Sequence, residues 1–210
     1  MRTTITLGRQ LGCGGSYLGQ CIADALGIRC LDREIISKAA QHLQVDEADI
    51  TQREERGVSF WERMLRGVTT GPIEAAYQAP VTLSVTDRDL LAAETTVMQE
   101  IAAAEDCVIV GRLAAFVLPP HPGMVKIFLH APEQFRVQRL VANAAAATEA
   151  EAKALITRSD ETRRQYIRQM IGKEEYDARQ YHLSVDTSVL PLSATADLIT
   201  DFVRNRAGVR

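Results

Sequence analysis

A glycine-rich segment near the start of the chain has the residue types needed to hold phosphate. Residues 8–16 read GRQLGCGGS, between a β-rich run at 3–7 and a helical pattern that opens at Ser16. Glycines let backbone N–H groups approach phosphate oxygens, and the N-terminus of the next helix adds unpaired N–H groups. Ser16 has the position from which a hydroxyl reaches Mg²⁺ in such loops. A tight turn without a ligand is the alternative, but the order strand, glycines, serine, helix favours a phosphate-binding loop.

The loop departs from the usual pattern GxxxxGK[ST] at two positions. Gly15 stands where the phosphate-binding lysine is expected, and Arg9 stands where the first glycine is expected. Arg9 is the nearest cation in the sequence. We therefore predict that Arg9 folds back over the phosphates and supplies the missing charge. The alternative is that Arg9 points away and pairs with a carboxylate such as Asp32.

Arginines form a second group of candidate phosphate ligands, because a guanidinium offers a planar fork of donors. Arg112 follows the apolar run 107–110, which is typical of a strand buried on both faces and would deliver Arg112 to the loop's edge of the sheet. A basic cluster in this acidic chain comprises Arg136, Arg139, Arg158, Arg163, Arg164 and Arg168, with Asp160 among them. The alternatives are a surface salt bridge for Arg112 and a solvated helix face for the cluster.

Alternating strand and helix patterns would position these residues. The predicted strands are 3–7, 28–31, 107–110, 125–129 and 183–185, and the predicted helices open at Ser16, Asp32, Asp46, Thr86, Pro132, Thr148 and Ser193, with 144–147 also expected to be helical. This alternation is typical of an α/β domain with a mostly parallel sheet and helices on both faces. Glycines and prolines interrupt the pattern over 57–85, which predicts a mobile insert or a poorly packed connection.

Composition argues against several other classes of protein. The 210 residues suit one large domain, and a net charge of −3 leaves no broad basic field for nucleic acid. No apolar run approaches the ~20 residues of a membrane span. The cysteines and histidines lack metal-ligand spacing. Because a strand-like run begins at once and leaves no room for a signal peptide, we expect a reduced, cytoplasmic location.

Five segments in this order resemble the cytidylate kinase-like family: ITLGRQLGCGGSYLG, LDREII, VIVGRLAAFVL, KIFLHAPEQFRVQR and VDTSVL. The resemblance covers nearly the whole chain and is weakest over 57–85. It implies a P-loop kinase fold, with a five-stranded parallel sheet in the order 2-3-1-4-5 flanked by helices. It further implies a single domain over 1–210, with mobile acceptor-binding and lid segments at about 33–85 and 144–180.

The resemblance also implies a function and a set of site residues. ATP, Mg²⁺ and a CMP-like nucleoside monophosphate are the implied ligands, so the expected partners are nucleotides, with neither nucleic acid nor membrane. It places Gly12, Cys13, Gly14, Gly15, Ser16 and Tyr17 at the donor phosphates, with Ser16 also at the metal, and Asp32, Arg33 and Arg112 at the acceptor. The alternative for the segment at Asp32 and Arg33 is that it simply caps the helix that follows. Arg158, Asp160, Arg163 and Arg164 fall in a lid over the donor, and the expected catalytic cations are Arg9, Arg112, Arg158 and Arg163.

The lysine-free loop bears on activity. Cytidylate kinases proper have lysine where Gly15 stands, whereas the kinase-like family commonly lacks it, which weakens the expectation of cytidylate kinase activity. Two alternatives stay open: a nucleotide sensor that has lost turnover, and a kinase for a small hydroxyl compound.

Overall fold

The structure, a computed structural model, describes residues 2–32, Ile35, Lys38 and 87–207. Several sequence predictions lie outside the described residues. These are the helices after Asp32 and Asp46, the cap at Thr86, the insert at 57–85 and the acceptor residue Arg33.

Strands and helices alternate along the described chain, as the sequence predicts. They are β1 (Thr4–Arg9), α1 (Gly15–Leu26), β2 (Arg29–Leu31), α2 (Asp87–Ala104), β3 (Cys107–Val110), α3 (Ala114–Val117), β4 (Met124–His130), α4 (Glu133–Ala142), α5 (Glu149–Ile171), β5 (Leu183–Asp186) and α6 (Leu192–Ala207). A short 3₁₀ turn at Ala178–Gln180 precedes β5.

Two predicted boundaries are wrong for identifiable reasons. Residues 144–147 are not helical, because Ala144 has a positive φ of 54° and the N–H groups of Ala145 and Ala146 turn back to the carbonyl of Leu140. Gly8 does not end β1, since it continues the ladder opposite Phe128 of β4. In both places a backbone hydrogen bond, within the turn or to a neighbouring strand, overrides the conformational preference of the individual residue.

The five strands form one parallel sheet in the order β2-β3-β1-β4-β5, which confirms the order implied by the resemblance. β1 lies between β3 and β4. Its register sets Leu7 beside Val110 and Arg9 beside Leu129. The turn that follows β1 therefore leaves the sheet next to the carboxyl ends of both neighbouring strands, which is where ligands bind in open α/β sheets.

Helices cover both faces of the sheet. On one face, α1 and α6 bury Leu18, Ile22, Ile199 and Val203 against the strands, with no exposure to solvent. On the other face, α2 and α3 contribute a second buried cluster that includes Met98. Burying such side chains contributes ~1.5–3 kcal/mol each, so the central strands are the rigid base of the glycine turn.

Helix α5 is anchored to α4 beside that turn. Thr148 caps α5 by accepting a hydrogen bond from the backbone N–H of Glu151 at 3.2 Å, and Gly172 ends the helix with a φ of 70°. Ala152 and Ile156 of α5 pack on Leu140 of α4 in a cluster that also buries Leu11 of the loop. The predicted lid helix is thus attached to the loop through an apolar cluster. Among the described residues we find no helix with the length and apolar character to cross a bilayer.

Candidate functional site

The turn between β1 and α1 needs its glycines for both conformation and space. Gly12 and Gly14 have φ values of 82° and 85°, which disfavour residues with side chains. A Cβ on Gly12 would lie 2.9 Å from Cβ of Arg136, and one on Gly14 would lie 3.0 Å from a methyl of Leu192. The loop backbone therefore lies close against α4 and the start of α6.

The loop presents unpaired backbone donors. Within the described ranges, no group accepts a hydrogen bond from the N–H groups of Gly12, Gly14 or Ser16. These donors lie at the N-terminal end of α1, where the helix dipole is positive, and such a group of N–H donors suits a phosphate. Tyr17 follows in the first turn, with its side chain exposed.

Cys13 supports the loop from inside. Its thiol is buried and donates a hydrogen bond to the carbonyl of Gln10, with the sulfur 2.9 Å from that oxygen. Burial raises the pKa of the Cys13 thiol, with Arg9 opposing the shift. The thiol of Cys13 therefore stays protonated and stabilises the turn through this hydrogen bond.

Arg9 pairs with Asp32, which was the second of the two alternatives for this side chain. Arg9 is only 4% exposed, and its Nη2 lies 3.3 Å from Oδ1 of Asp32. Its stem passes so close to Gly15 that a Cβ there would overlap Cδ of Arg9, and Nη1 lies against Gly111. Burial lowers the pKa of Arg9 to about 10, with Asp32 opposing the shift, so the guanidinium is charged at neutral pH.

Ser16 and Asp32 bring two hard oxygen ligands together. The hydroxyl of Ser16 donates to Oδ2 of Asp32 at 2.8 Å. Mg²⁺ in nucleotide sites is typically held by one or two protein oxygens, with phosphates and waters completing the shell. The pair fits that donor set. Within the described ranges, no group of three or more histidine, cysteine or acidic side chains is arranged to hold a metal ion.

Arg112 lies at the same edge of the sheet as the loop. The N–H of Gly111 donates to the carbonyl of Leu7 at 2.9 Å, which joins the end of β3 to β1. Nη1 of Arg112 lies 2.9 Å from Oε1 of Glu94, and both side chains are largely buried. Arg112 and Leu113 each have a φ of 54°. Strained residues of this kind concentrate at functional sites, and their positions here support a site at this edge.

Two arginines of α4 lie against the loop. Arg136 forms an ion pair with Asp160 of α5 at 2.9 Å and donates to the carbonyl of Leu11 at 3.4 Å. Arg139 has its Nη2 3.3 Å from the position that a Cβ on Gly14 would take. Among the described residues, no group accepts from the buried Nε of Arg139. Arg136 thus fastens the lid helix to the loop, whereas Arg139 places a guanidinium beside the loop.

The predicted lid residues separate into two groups. Arg163 donates to the carbonyl of Arg9 and pairs with Glu175, which is 1% exposed. Burial raises the pKa of Glu175, with Arg163 opposing the shift. Arg164 lies over the ring of Tyr176, 5.4 Å from its centroid, and Arg158 is on an exposed outer face of α5. The structure therefore brings Asp160 and Arg163 to the loop, but not Arg158.

Some members of the site had a weak sequence signal or none. Arg139 belonged to the basic cluster, and its spacing from Arg136 put both on one helix face, but nothing in the sequence ranked it above its neighbours. Glu94 and Glu175 carried no signal, because an acidic residue on a polar helix face or in a connection is ordinary. Their partners become visible only when the chain is folded.

Comparison with known proteins supports this architecture. A family model described as the cytidylate kinase-like family matches residues 4–189. An uncharacterized protein from Eubacterium ventriosum has 17% sequence identity and a TM-score of 0.68, covering 98% of this chain and 100% of its own. A shikimate kinase from Acinetobacter baumannii in complex with shikimate has 15% identity and a TM-score of 0.50, covering 98% and 94%. A gluconokinase from Sinorhizobium meliloti has 18% identity and a TM-score of 0.55, covering 99% and 96%. At these identities the likeness shows the fold, which is that of P-loop kinases. No curated protein matches the chain significantly.

Proposed function

The chain belongs to the cytidylate kinase-like family, and from that premise we propose that it transfers the γ-phosphoryl group of ATP to a CMP-like nucleoside monophosphate. The observation that carries the proposal is the group of unpaired N–H donors at the start of α1, with Ser16 and Asp32 beside it. A phosphate cradle, two hard oxygens and several arginines at one sheet edge are the parts that phosphoryl transfer requires.

The proposed reaction is an in-line displacement. An oxygen of the acceptor phosphate attacks the γ-phosphorus while the bond to the bridging oxygen of ADP breaks, so no covalent intermediate with the protein is needed. Mg²⁺, when held by Ser16 and Asp32 together with phosphate oxygens, would neutralise part of the charge on the phosphates. The loop orients the donor, and we propose that Arg112 and Arg33 meet the acceptor. The same proposal includes a lid formed by residues 144–180, nucleotides as partners and a cytoplasmic location.

The charge normally given by the loop lysine would come from two arginines in this proposal. Arg9 is held between Asp32 and Gly111 and supports the loop with a buried charge, whereas Arg139 has its guanidinium beside Gly14. Arg139→Gln should lower kcat by about a hundredfold, as expected for loss of one transition-state donor. Its unfolding free energy should change little. Arg9→Ala should lower kcat and stability together, because it also leaves Asp32 without its ion-pair partner.

A kinase of a small hydroxyl compound is a second candidate. It is favoured by the fold similarity to a shikimate kinase and a gluconokinase, whose names refer to small hydroxylated substrates. The two candidates share the donor site and differ only in the acceptor. ADP formation with a panel of nucleoside monophosphates and small polyols separates them, and ³¹P NMR of the product identifies the phosphorylated group.

Gly14→Val tests the donor site directly. A branched side chain would meet Leu192 and Arg139 and force a residue with φ of 85° out of its conformation, so ATP affinity should fall at least tenfold. Gly27→Val is the matched control, since Gly27 has a φ of 65° at the opposite end of α1 with no atom within 4 Å of its Cβ position. It should keep wild-type ATP affinity.

The outcomes are distinct. Unchanged ATP binding in folded Gly14→Val would refute the phosphate-loop assignment. Tight ATP binding by the wild type without transfer to any acceptor would replace the kinase proposal with a nucleotide sensor.

A further inference from the structure

A second cavity lies at the opposite edge of the sheet from the glycine loop. It has a volume of about 620 Å³ and lies between α3, the amino end of β4, the connection 172–182 and the end of α6. Its lining includes six basic side chains: His121, Lys126, Lys173, Arg179, His182 and Arg206. In a chain with net charge −3, this concentration of basic groups is a local feature, and of its members Arg179 is paired with Asp177 at 2.8 Å.

Lys126 is placed on the sheet itself. Side chains alternate along β4, so Lys126 shares a face with Phe128, whose ring stacks on Tyr181 at 5.0 Å. Burial lowers the pKa of Lys126, and Lys173 adds to the shift. Within the described part of the chain, no carboxylate forms an ion pair with Lys126, Lys173 or Arg206. A partly buried lysine facing a second lysine weakens the fold unless something negative binds there.

The contact between His182 and Arg206 sets one hydrogen-bond donor against another. Nδ1 of His182 accepts from the backbone N–H of Lys126 at 3.0 Å, so the proton of the neutral ring must be on Nε2. That Nε2 lies 3.1 Å from Nη2 of Arg206, which can only donate. Neither group has an acceptor at this contact. Burial lowers the pKa of His182, and Arg206 and Lys126 add to the shift.

We propose that this cavity is a second anion site that takes a small molecule bearing phosphate groups and is separate from the site at the glycine loop. Phosphate oxygens would accept from Nε2 of His182 and from Arg206 together and would pair with Lys126. The volume is that of a small-ligand pocket, ~300–1,000 Å³. Lys126 is partly buried on the sheet whereas Lys173, Arg179 and Arg206 are exposed, so the proposed ligand is a compact anion rather than an extended polyanion.

The connection 172–182 links this cavity to the glycine loop. It carries Lys173 and Arg179 on the cavity side. The same connection carries Glu175, which holds Arg163 against the carbonyl of Arg9.

Two further hydrogen bonds strengthen that link. Tyr181 donates to the carbonyl of Glu175 at 3.0 Å, and Nε2 of Gln10 donates to the hydroxyl of Tyr176 at 3.4 Å. A ligand that orders this connection should therefore change ATP affinity by roughly fivefold or more, the lower range of measured couplings between sites.

NMR with site-specific signals tests the site on the full-length protein. Inorganic pyrophosphate is the probe, added in ~150 mM salt so that diffuse surface attraction is screened. Saturable shifts are expected for the ring nitrogens of His182 and for Nε of Arg206. Lys126→Met should weaken this binding at least tenfold. Arg204→Gln removes an exposed charge from the same helix, outside the cavity lining, and should leave the binding unchanged.

The backbone signals of Gly12 and Gly14 report the loop separately. Shifts confined to them would overturn the second site without affecting the proposed kinase function. Shifts at His182 that Lys126→Met leaves intact would also overturn it, as would tighter binding of a single-stranded oligonucleotide than of pyrophosphate. Arg206→Gln provides the same comparison if Lys126→Met does not fold.

Discussion

Replacing Gly15 by alanine tests whether Arg9 fills the space beside the glycine loop. A Cβ at this position would overlap Cδ of Arg9 and lie 3.1 Å from its Cβ. Arg9 cannot easily move away, because Nη2 is held by Asp32 at 3.3 Å and Nη1 lies against Gly111. We expect Gly15→Ala to destabilise the fold.

The expected size follows from two opposing effects. Overpacking a buried position by one methyl group typically costs ~1–3 kcal/mol. Replacing glycine by alanine inside a helix contributes up to ~1 kcal/mol of stability, and less at the first residue of α1. The net loss should be about 1–2 kcal/mol. In an Arg9→Ala background the overlapping atom is gone, so the same substitution should be neutral or stabilising, with a coupling energy of about 1–3 kcal/mol.

Urea unfolding of the four proteins of this cycle measures the coupling. The midpoints should shift while the slopes stay constant, which shows that stability rather than compactness has changed. Arg29→Ala provides a control background, because Arg29 is half exposed and pairs with Glu105. Gly15→Ala should keep its full cost there. Additive effects of Gly15→Ala and Arg9→Ala would refute the reasoning.

Three further substitutions test other parts of the molecule. Arg112→Ala should raise the acceptor KM strongly with little change in ATP affinity, and equal loss of both in steady-state kinetics would move this residue to the donor side. Thr148→Ala should lower the unfolding free energy by ~1 kcal/mol through loss of the α5 cap, whereas Thr148→Ser should retain most of it; identical urea midpoints for all three proteins would contradict this. Arg206→Gln should raise the pKa of His182, because after burial this arginine is the next cause of the lowered value; an unchanged imidazole titration by NMR would count against that contact.

The sheet could be predicted from the sequence because its strands carry continuous apolar runs that glycines, prolines and caps separate. The run 107–110 is buried in full, as expected for a strand covered on both faces. The failures have a different origin. A run of alanines has high helix propensity at 144–147, yet the turn that brings α5 onto α4 requires a positive φ at Ala144. Local preference cannot show where the next helix must dock.

The loop could be identified from residue spacing, but its surroundings could not. Asp32 was only one possible partner of Arg9, because a sequence separation of 23 residues says nothing about the distance between two side chains. The basic cavity had no sequence signal, since its basic side chains come from the segment before β4, from β4 itself, from the connection 172–182 and from α6. A chain with net charge −3 gives no hint that four separate segments converge.

The contact between Arg9 and Gly15 explains why two positions of the loop differ from the usual pattern at once. Where that pattern has glycine first and lysine before the serine, this chain has the cation first and glycine before the serine. A Cβ on Gly15 or on Gly111 would overlap the side chain of Arg9, so one long side chain fills the space between the loop and Gly111. Arg9→Gly with Gly15→Lys would convert residues 9–16 to GQLGCGKS. We expect this double variant to fold better than Gly15→Lys alone, and we expect related chains to carry a bulky cation at one of the two positions and not at both.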